Sequence, residues 1–416
     1  MYTERFFDMQ NRKYFFLLLP FLLQQMWPVR AQAAHACNDA VILGKRYIVN
    51  LDLPPEERWR EVVDDNRKAI STLVSFAQNV TPPYLYNWAL SPHFDVRDVL
   101  PYPYGEEIVG IARAARVSAA KLFLVNLMYE LDGYAKKKNI AACTTVIAQA
   151  ENGLIYTART VDSLYEQNVY YTDTYKKLSI TVDFQRNGQT VYTGSTWAGY
   201  VGLQTGQKAN KFTIAINAKN TPGKWQTNII ETKTNAHALV FTLIRDTLAD
   251  PELDFEMAVK KLSTHPVSAP CYFTVGGVQP GEGVVITRAR NRVQDLWWIG
   301  GKHWFLVQVN SDHWKPIDDP SGAVRKEAAT KRMNQIGQKN LSLSGMLDSV
   351  LCVPPVMRNI TVQAIIMSAP IPEHYQQWSR PTGLKPSSST VYICTLYNQQ
   401  PLFPYPVLMH SKYPYN

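Results

Sequence analysis

The run Ala142-Cys143-Thr144-Thr145-Val146-Ile147-Ala148-Gln149-Ala150, the turn Glu151-Asn152-Gly153 and the return Leu154-Ile155-Tyr156-Thr157-Ala158-Arg159-Thr160-Val161-Asp162 carry most of what this chain reveals about itself. Two apolar, β-branched runs around an Asn-Gly pair predict a hairpin, because Asn and Gly tolerate the positive φ of a tight hairpin turn. In that hairpin Cys143 opens one strand while Arg159 and Asp162 close its neighbour, so a thiol, a guanidinium and a carboxylate meet at one sheet end. A fixed cation stabilises a thiolate, and a carboxylate orients either the cation or an amine; together they make an activated nucleophile. A buried cysteine with only a packing role is the competing reading.

The chain of 416 residues, 46% hydrophobic and 12% aromatic, can bury a large core as one large domain or two. Near its start Asn11-Arg12-Lys13 precedes the apolar run 14–23, and Ala31-Gln32-Ala33 follows. Basic lead, short apolar core and Ala-x-Ala site describe a secretory signal peptide over 1–33; a signal anchor is the alternative, since the lead is long. Sequons at Asn79, Asn340 and Asn359 fit a glycosylated lumenal or extracellular protein. Five cysteines (Cys37, Cys143, Cys271, Cys352, Cys394) leave at least one thiol over in an oxidising compartment, and Cys143 is the candidate. The net charge of +9 comes without a long basic block or a nucleic-acid motif, which points to an anionic membrane surface rather than nucleic acid, with a solvated basic surface as the plainer alternative.

Arg46 to Leu53 reads as a strand stopped by Pro54-Pro55, and Glu56 to Asn79 as an amphipathic helix. Glu106 to Val117 and Ser118 to Leu131 predict two more helices, the second capped by Ser118 and apolar on most sides; it is either core or a membrane-dipping face. The lysine-rich stretch before Cys143 belongs on a solvated loop, where a chain can be cut. Beyond it, strands are expected over 178–184, 190–196, 211–217, 271–275, 283–287, 304–310 and 360–367. Helices are expected over 229–249, 254–262, 324–335 and 342–351. Blocks of this kind argue for α+β layering. The segment 381–416, rich in Pro, Ser and Tyr, has no periodicity and reads as a loose tail.

Three chemistries compete. A Cys/His site would draw on His303 or His313, but nothing papain-like surrounds Cys143. The glycines of Val275–Gly283 lack the lysine and hydroxyl of a phosphate loop and read first as a hairpin; no metal motif occurs, so neither a metal nor a cofactor is expected. The third is an N-terminal nucleophile hydrolase, in which scission between Ala142 and Cys143 gives one residue both a thiol and an α-amine to act as its base.

On its motifs the chain resembles the family of N-acylethanolamine-hydrolysing acid amidase and acid ceramidase. The resemblance runs from about Arg46 to Arg380 through Asn50-Leu51-Asp52-Leu53-Pro54-Pro55, Leu124-Val125-Asn126-Leu127 with Tyr129-Glu130, Cys143-Thr144-Thr145-Val146, Ala198-Gly199-Tyr200-Val201-Gly202-Leu203, and Asn310 with Asp312-His313-Trp314-Lys315-Pro316. Thr205-Gly206-Gln207-Lys208 and Met367-Ser368-Ala369 look more like the amidase branch, Asp183-Phe184-Gln185-Arg186-Asn187 like the ceramidase branch.

The resemblance implies an αββα four-layer Ntn-hydrolase sandwich over 143–380, a helical α-subunit over 34–142, and an α/β heterodimer formed by self-cleavage. It also implies a lysosomal location, a fatty-acyl amide or ceramide substrate, and a saposin-like activator as a possible partner. It makes Cys143 the nucleophile, Arg159 and Asp162 the family's active-site pair, and Asn310 an oxyanion donor through its side-chain N–H. Arg325 is the family's second arginine if Pro320–Val324 is an insertion, and otherwise a solvated arginine at a helix start. Where the family has Glu, this chain reads Asn217-Ala218-Lys219, which leaves Arg159 without that carboxylate and keeps open a catalytically silent, lipid-binding relative.

Overall fold

The computed structural model describes residues 41–131, 142–163, 169–219, 225–233, 237–317, 319–380 and 382. The expected signal peptide, most of the lysine-rich loop and nearly all of the tail fall outside them.

Among the described residues the strands, in chain order, are β1 (Ile42–Leu43), β2 (Lys45–Asn50), β3 (Cys143–Gln149), β4 (Ile155–Asp162), β5 (Ser179–Arg186), β6 (Gln189–Trp197), β7 (Thr205–Lys208), β8 (Phe212–Ala218), β9 (Cys271–Gly276), β10 (Gly283–Arg288), β11 (Val293–Trp298), β12 (Phe305–Gln308), β13 (Thr361–Met367) and β14 (Gln376–Ser379). They form a six-stranded sheet, β1-β14-β13-β4-β3-β12, and an eight-stranded sheet, β11-β10-β9-β8-β7-β6-β5-β2. The β3–β4 hairpin forms as its sequence predicts: Cys143 lies opposite Val161 and Thr145 opposite Arg159. Gly153 takes the positive φ of 87° and Asn152 Oδ1 accepts from the Leu154 N–H at 3.1 Å.

The two sheets stack. Ile147 and Ile155 of the first pack with Tyr272 and Val285 of the second. The outer face of the six-stranded sheet, through Val146, Ala148 and Ala158, lies against Ala329 and Met333 of the helix Pro320–Ile336. The helices Val240–Ala249 and Phe255–Thr264 pack with Ile214, Ile216 and Phe273 on the other side. This is the expected helix-sheet-sheet-helix layering, and it explains why β3 and β4 are buried on both faces: each side chain, whichever way it points, meets another layer.

Ahead of Cys143, the helices Arg60–Val80 and Tyr104–Ala115 match their apolar spacing. This segment is not purely helical. β1 pairs with β14, and β2 lies parallel to β5, so it gives an edge strand to each sheet. A buried carboxylate, Glu107, fixes it further, accepting from Arg245 Nη2 at 2.8 Å, from Arg58 at 3.1 Å and from the Trp59 indole at 2.8 Å.

Three expectations change. The helix after Ser118 ends at Asn126, and Leu122, Phe123, Leu124 and Val125 are fully buried while Leu127 and Met128 nearly are, so it has no membrane-dipping face. The expected helix over 229–249 is two, Trp225–Lys233 and Val240–Ala249. The one over 342–351 is a short α-turn, Leu343–Met346, running into a π-turn, Leu347–Leu351. The glycine-rich loop after β9 is the expected hairpin, joining β9 to β10, and its amides are occupied by its own carboxylate, since Glu282 Oε2 accepts from the N–H groups of Val278 and Gln279 at 2.7 and 2.8 Å. Cys143 is free, as expected, and so is the buried Cys271; Cys352 is disulfide-bonded. The three sequon asparagines are exposed. No described helix is long and apolar enough to cross a membrane.

Candidate active site

β3 is the inner strand between β4 and β12, and this order assembles the site around Cys143, which is 4% exposed. From β4, Arg159 places Nη2 3.5 Å from the Cys143 sulfur. Its other terminal nitrogen donates to Thr205 Oγ1 at 2.5 Å and to the Gln204 carbonyl at 3.3 Å. From the far side, Gln308 of β12 pairs with Thr145, which brings Asn310 level with Cys143. The Cys143 N–H then donates to Asn310 Oδ1 at 3.0 Å.

Asn310 is turned opposite to the sequence-based expectation: its carbonyl oxygen faces the Cys143 nitrogen, while Nδ2 donates to the Ala218 carbonyl at 2.9 Å. Another donor serves the bond ahead of Cys143. The Ala142 carbonyl accepts from the backbone N–H of Asp162 at 2.8 Å, which is where negative charge develops if that carbonyl is attacked.

Asp162 alternates with Arg159 along β4, and its carboxylate takes different partners: Thr361 Oγ1 donates to it at 2.6 Å and Arg358 lies at 3.4 Å. Burial raises its pKa above the ordinary carboxylate value, against the pull of Arg325 and Arg358. Arg325 is not a solvated helix-start residue. It is fully buried and donates to the Cys143 carbonyl at 2.6 Å, to Thr144 Oγ1 at 2.9 Å and to Asn310 Oδ1 at 3.2 Å. The planar guanidinium thus locks the Cys143 backbone and the facing Asn in one geometry.

Lys219 pairs with Asp312 at 2.6 Å, and Asn217 is tied to the Gln308 carbonyl at 3.0 Å and Thr145 Oγ1 at 2.6 Å. No described carboxylate pairs with Arg159. A Cys/His arrangement does not form either: His313 bonds Asp295 at 2.9 Å and stacks on Trp297. No described histidine lines the cavity that reaches Cys143.

That cavity is narrow and partly open to solvent. Its polar lining includes Cys143, Arg159, Asp162 and Gln204, its apolar lining Met128, Val161, Ile216 and Phe241. Gln204 and Phe241 escape sequence reasoning, since nothing local marks either. The motif around Asn126 now has a structural cause. Asn126 Oδ1 accepts from the Val201 N–H and its Nδ2 donates to the Gly199 carbonyl, both at 3.0 Å, holding the turn that carries Gln204. Tyr129 lines the cavity, donates to the Pro270 carbonyl at 3.2 Å and packs on Phe241. Glu130 accepts from the Val240 N–H at 3.1 Å and from Ser268 at 3.0 Å; burial pushes its pKa up to about 7. Among the described residues no cluster suits a metal ion.

Residues 45–94, ahead of Cys143, match the family model described as the beta subunit of N-acylethanolamine-hydrolyzing acid amidase. The chain is 41% identical to N-acylethanolamine-hydrolyzing acid amidase of Cavia porcellus over 68% of its own length and 75% of the relative's. It is 31% identical to acid ceramidase of Rattus norvegicus over 76% and 81%. Among solved structures it resembles the Caenorhabditis elegans ortholog of the amidase, with a TM-score of 0.51, 30% identity, and coverage of 57% of this chain and 100% of that one.

Proposed function

The chain belongs to the family of N-acylethanolamine-hydrolyzing acid amidase and acid ceramidase, whose members are amide hydrolases, and from that premise we propose that it hydrolyses fatty-acyl ethanolamides to fatty acid and ethanolamine with Cys143 as nucleophile. The observation that carries the reading is the convergence of Arg159, Asn310 and Arg325 on Cys143 at the mouth of a largely apolar cavity. The amidase relatives are also nearer than the ceramidases, at 36–41% against 29–31% identity, which favours ethanolamide over ceramide.

In this reading the Cys143 thiol first attacks the Ala142 carbonyl. The oxyanion is met by the Asp162 N–H, the Cys143 nitrogen leaves as an amine, and water resolves the thioester to release the Ala142 carboxylate. The new amine stays within reach of Asn310 Oδ1, which holds it beside the sulfur as a general base. Turnover repeats the sequence on the lipid amide. The amine takes the thiol proton, sulfur adds to the carbonyl, and the leaving ethanolamine takes the proton back. Water then cleaves the acyl thioester with the same base. The location that fits is the lysosome, reached through the secretory pathway.

Acid incubation of purified protein tests this. Two fragments should appear on a reducing gel, the larger beginning Cys-Thr-Thr-Val-Ile, and the cut protein should hydrolyse N-palmitoylethanolamine faster than ceramide. Cys143→Ala should remain one chain and inert. Hydrolysis by protein that stays uncut would sink the N-terminal-nucleophile mechanism, and a preference for ceramide would sink the substrate assignment.

A further inference from the structure

Arg159 is 2% exposed, and its described neighbours are a thiol, a hydroxyl and a carbonyl, none a carboxylate. A buried guanidinium without a counter-anion is costly, and a ligand that supplies one is favoured accordingly. The same cavity wall carries other unused polarity. Arg159 Nε has no partner, Gln204 is 1% exposed with neither Oε1 nor Nε2 bonded, and the Trp197 indole nitrogen is buried and unbonded. Both Gln204 and Trp197 line the cavity beside Arg159. Unmet donors thus outnumber unmet acceptors at the polar end of the cavity, and the carboxylate in its lining, Asp162, is already engaged by Thr361 and Arg358.

We infer that the cavity binds a lipid-borne carboxylate, and that N-acyl amino acids, with an anionic head group, are substrates of this chain alongside neutral fatty-acyl amides. The head-group carboxylate of an N-acylglycine lies two bonds beyond the scissile nitrogen. With the amide carbon at the Cys143 sulfur, a carboxylate there is within one guanidinium of Arg159, and Gln204 Nε2 supplies a second donor. Ala218, which lines the same cavity, adds only a methyl group there. The bond chemistry is unchanged: the thioester forms on Cys143, glycine leaves with the proton from the amine, and water releases the fatty acid. This inference rests on the amidase reading and extends it.

The test compares N-palmitoylglycine with its neutral isostere N-palmitoylglycinamide on the matured protein. Wild type should favour the acid by about tenfold or more in kcat/KM. Gln204→Glu and Ala218→Glu each place a carboxylate in the cavity that Arg159 lines; each should bring the ratio to one or below, acting mainly through KM on the acid. A wild-type ratio at or below one, with N-palmitoylethanolamine still hydrolysed, overturns this inference and leaves the amidase reading intact. If palmitate inhibits far better than hexadecanol while the two amides are turned over alike, the wall serves the product and the proposed substrate class is wrong. If none of the amides is turned over, the amidase reading fails, and binding of the same two lipids, followed by tryptophan fluorescence, decides. Tighter binding of the acid, lost in Gln204→Glu, supports the carboxylate site, and equal binding refutes it.

Discussion

Arg325 satisfies three acceptors with one planar group: the Cys143 carbonyl, Thr144 Oγ1 and Asn310 Oδ1. Lysine keeps the charge but offers a single ammonium, which cannot span that fork. Arg325→Lys is therefore expected to slow both proposed scission and amide hydrolysis by roughly tenfold to a hundredfold, the equivalent of one or two charge-assisted hydrogen bonds. Gel time courses and initial rates would check this, with circular dichroism to show the fold kept; unchanged scission would reduce Arg325 to packing. This scale also shows which site residues a sequence can disclose. Cys143, Arg159 and Asp162 share one hairpin, and local turn chemistry predicts their meeting. Gln204 and Phe241 reach the same cavity from a turn and a helix far along the chain, and their residue types are common in any core. The turn of the Asn310 amide was beyond reach for another reason: it depends on the Ala218 carbonyl, which only the order of the two sheets brings near.

Among the elements, those with strong periodicity or turn signals were legible, and those shaped by their neighbours were not. β7 reads Thr-Gly-Gln-Lys and β14 Gln-Gln-Trp-Ser; each is a strand because a partner offers a free edge, β8 to one and β13 to the other. The helix Val240–Ala249 carries a prediction. Its first N–H groups need acceptors, its N-cap Leu239 offers no side chain, and Glu130 from the segment before Cys143 takes that place. Burial raises the Glu130 pKa from 4.5 to about 7, so the folded chain holds a proton that the unfolded chain releases between those values. By linkage, stability from this group is full below about pH 4.5 and falls as pH rises towards 7. Glu130→Gln, which never ionises, should gain on wild type by up to about 3 kcal/mol at pH 8 compared with pH 4. Urea unfolding at the two pH values measures it, and an equal difference at both would mean that Glu130 does not titrate between them. Burial raises the Asp162 pKa as well, so its contribution to stability has the same acid-favouring sign.

Across the whole molecule, the segment before Cys143 is built into the two-sheet sandwich rather than resting beside it. β1 extends one sheet and β2 the other, Asn126 holds the turn leading to Gln204, and Glu107 meets Arg245 with neither exposed. Cutting the Ala142–Cys143 bond removes none of these contacts. The proposed fragments should therefore co-elute as one particle on native size-exclusion chromatography and separate only in denaturant. One tie is the Glu107 carboxylate, which holds Arg245 from beyond Cys143 together with Arg58 and Trp59 of the leading segment. Removing one side of a buried ion pair strands the other charge, at a cost of about 3–5 kcal/mol. In the uncut chain the two parts stay tethered, and Glu107→Ala should show that cost as a lower unfolding midpoint. In the cut protein the same loss acts on association, so the fragments of Glu107→Ala should come apart on dilution where those of wild type stay together. The reverse pairing, Glu107→Gln, keeps the shape and the indole hydrogen bond but not the charge, and should fall between the two. Co-elution of the cut Glu107→Ala fragments at the lowest measurable concentration would show that the edge strands, not this ion pair, hold the molecule together.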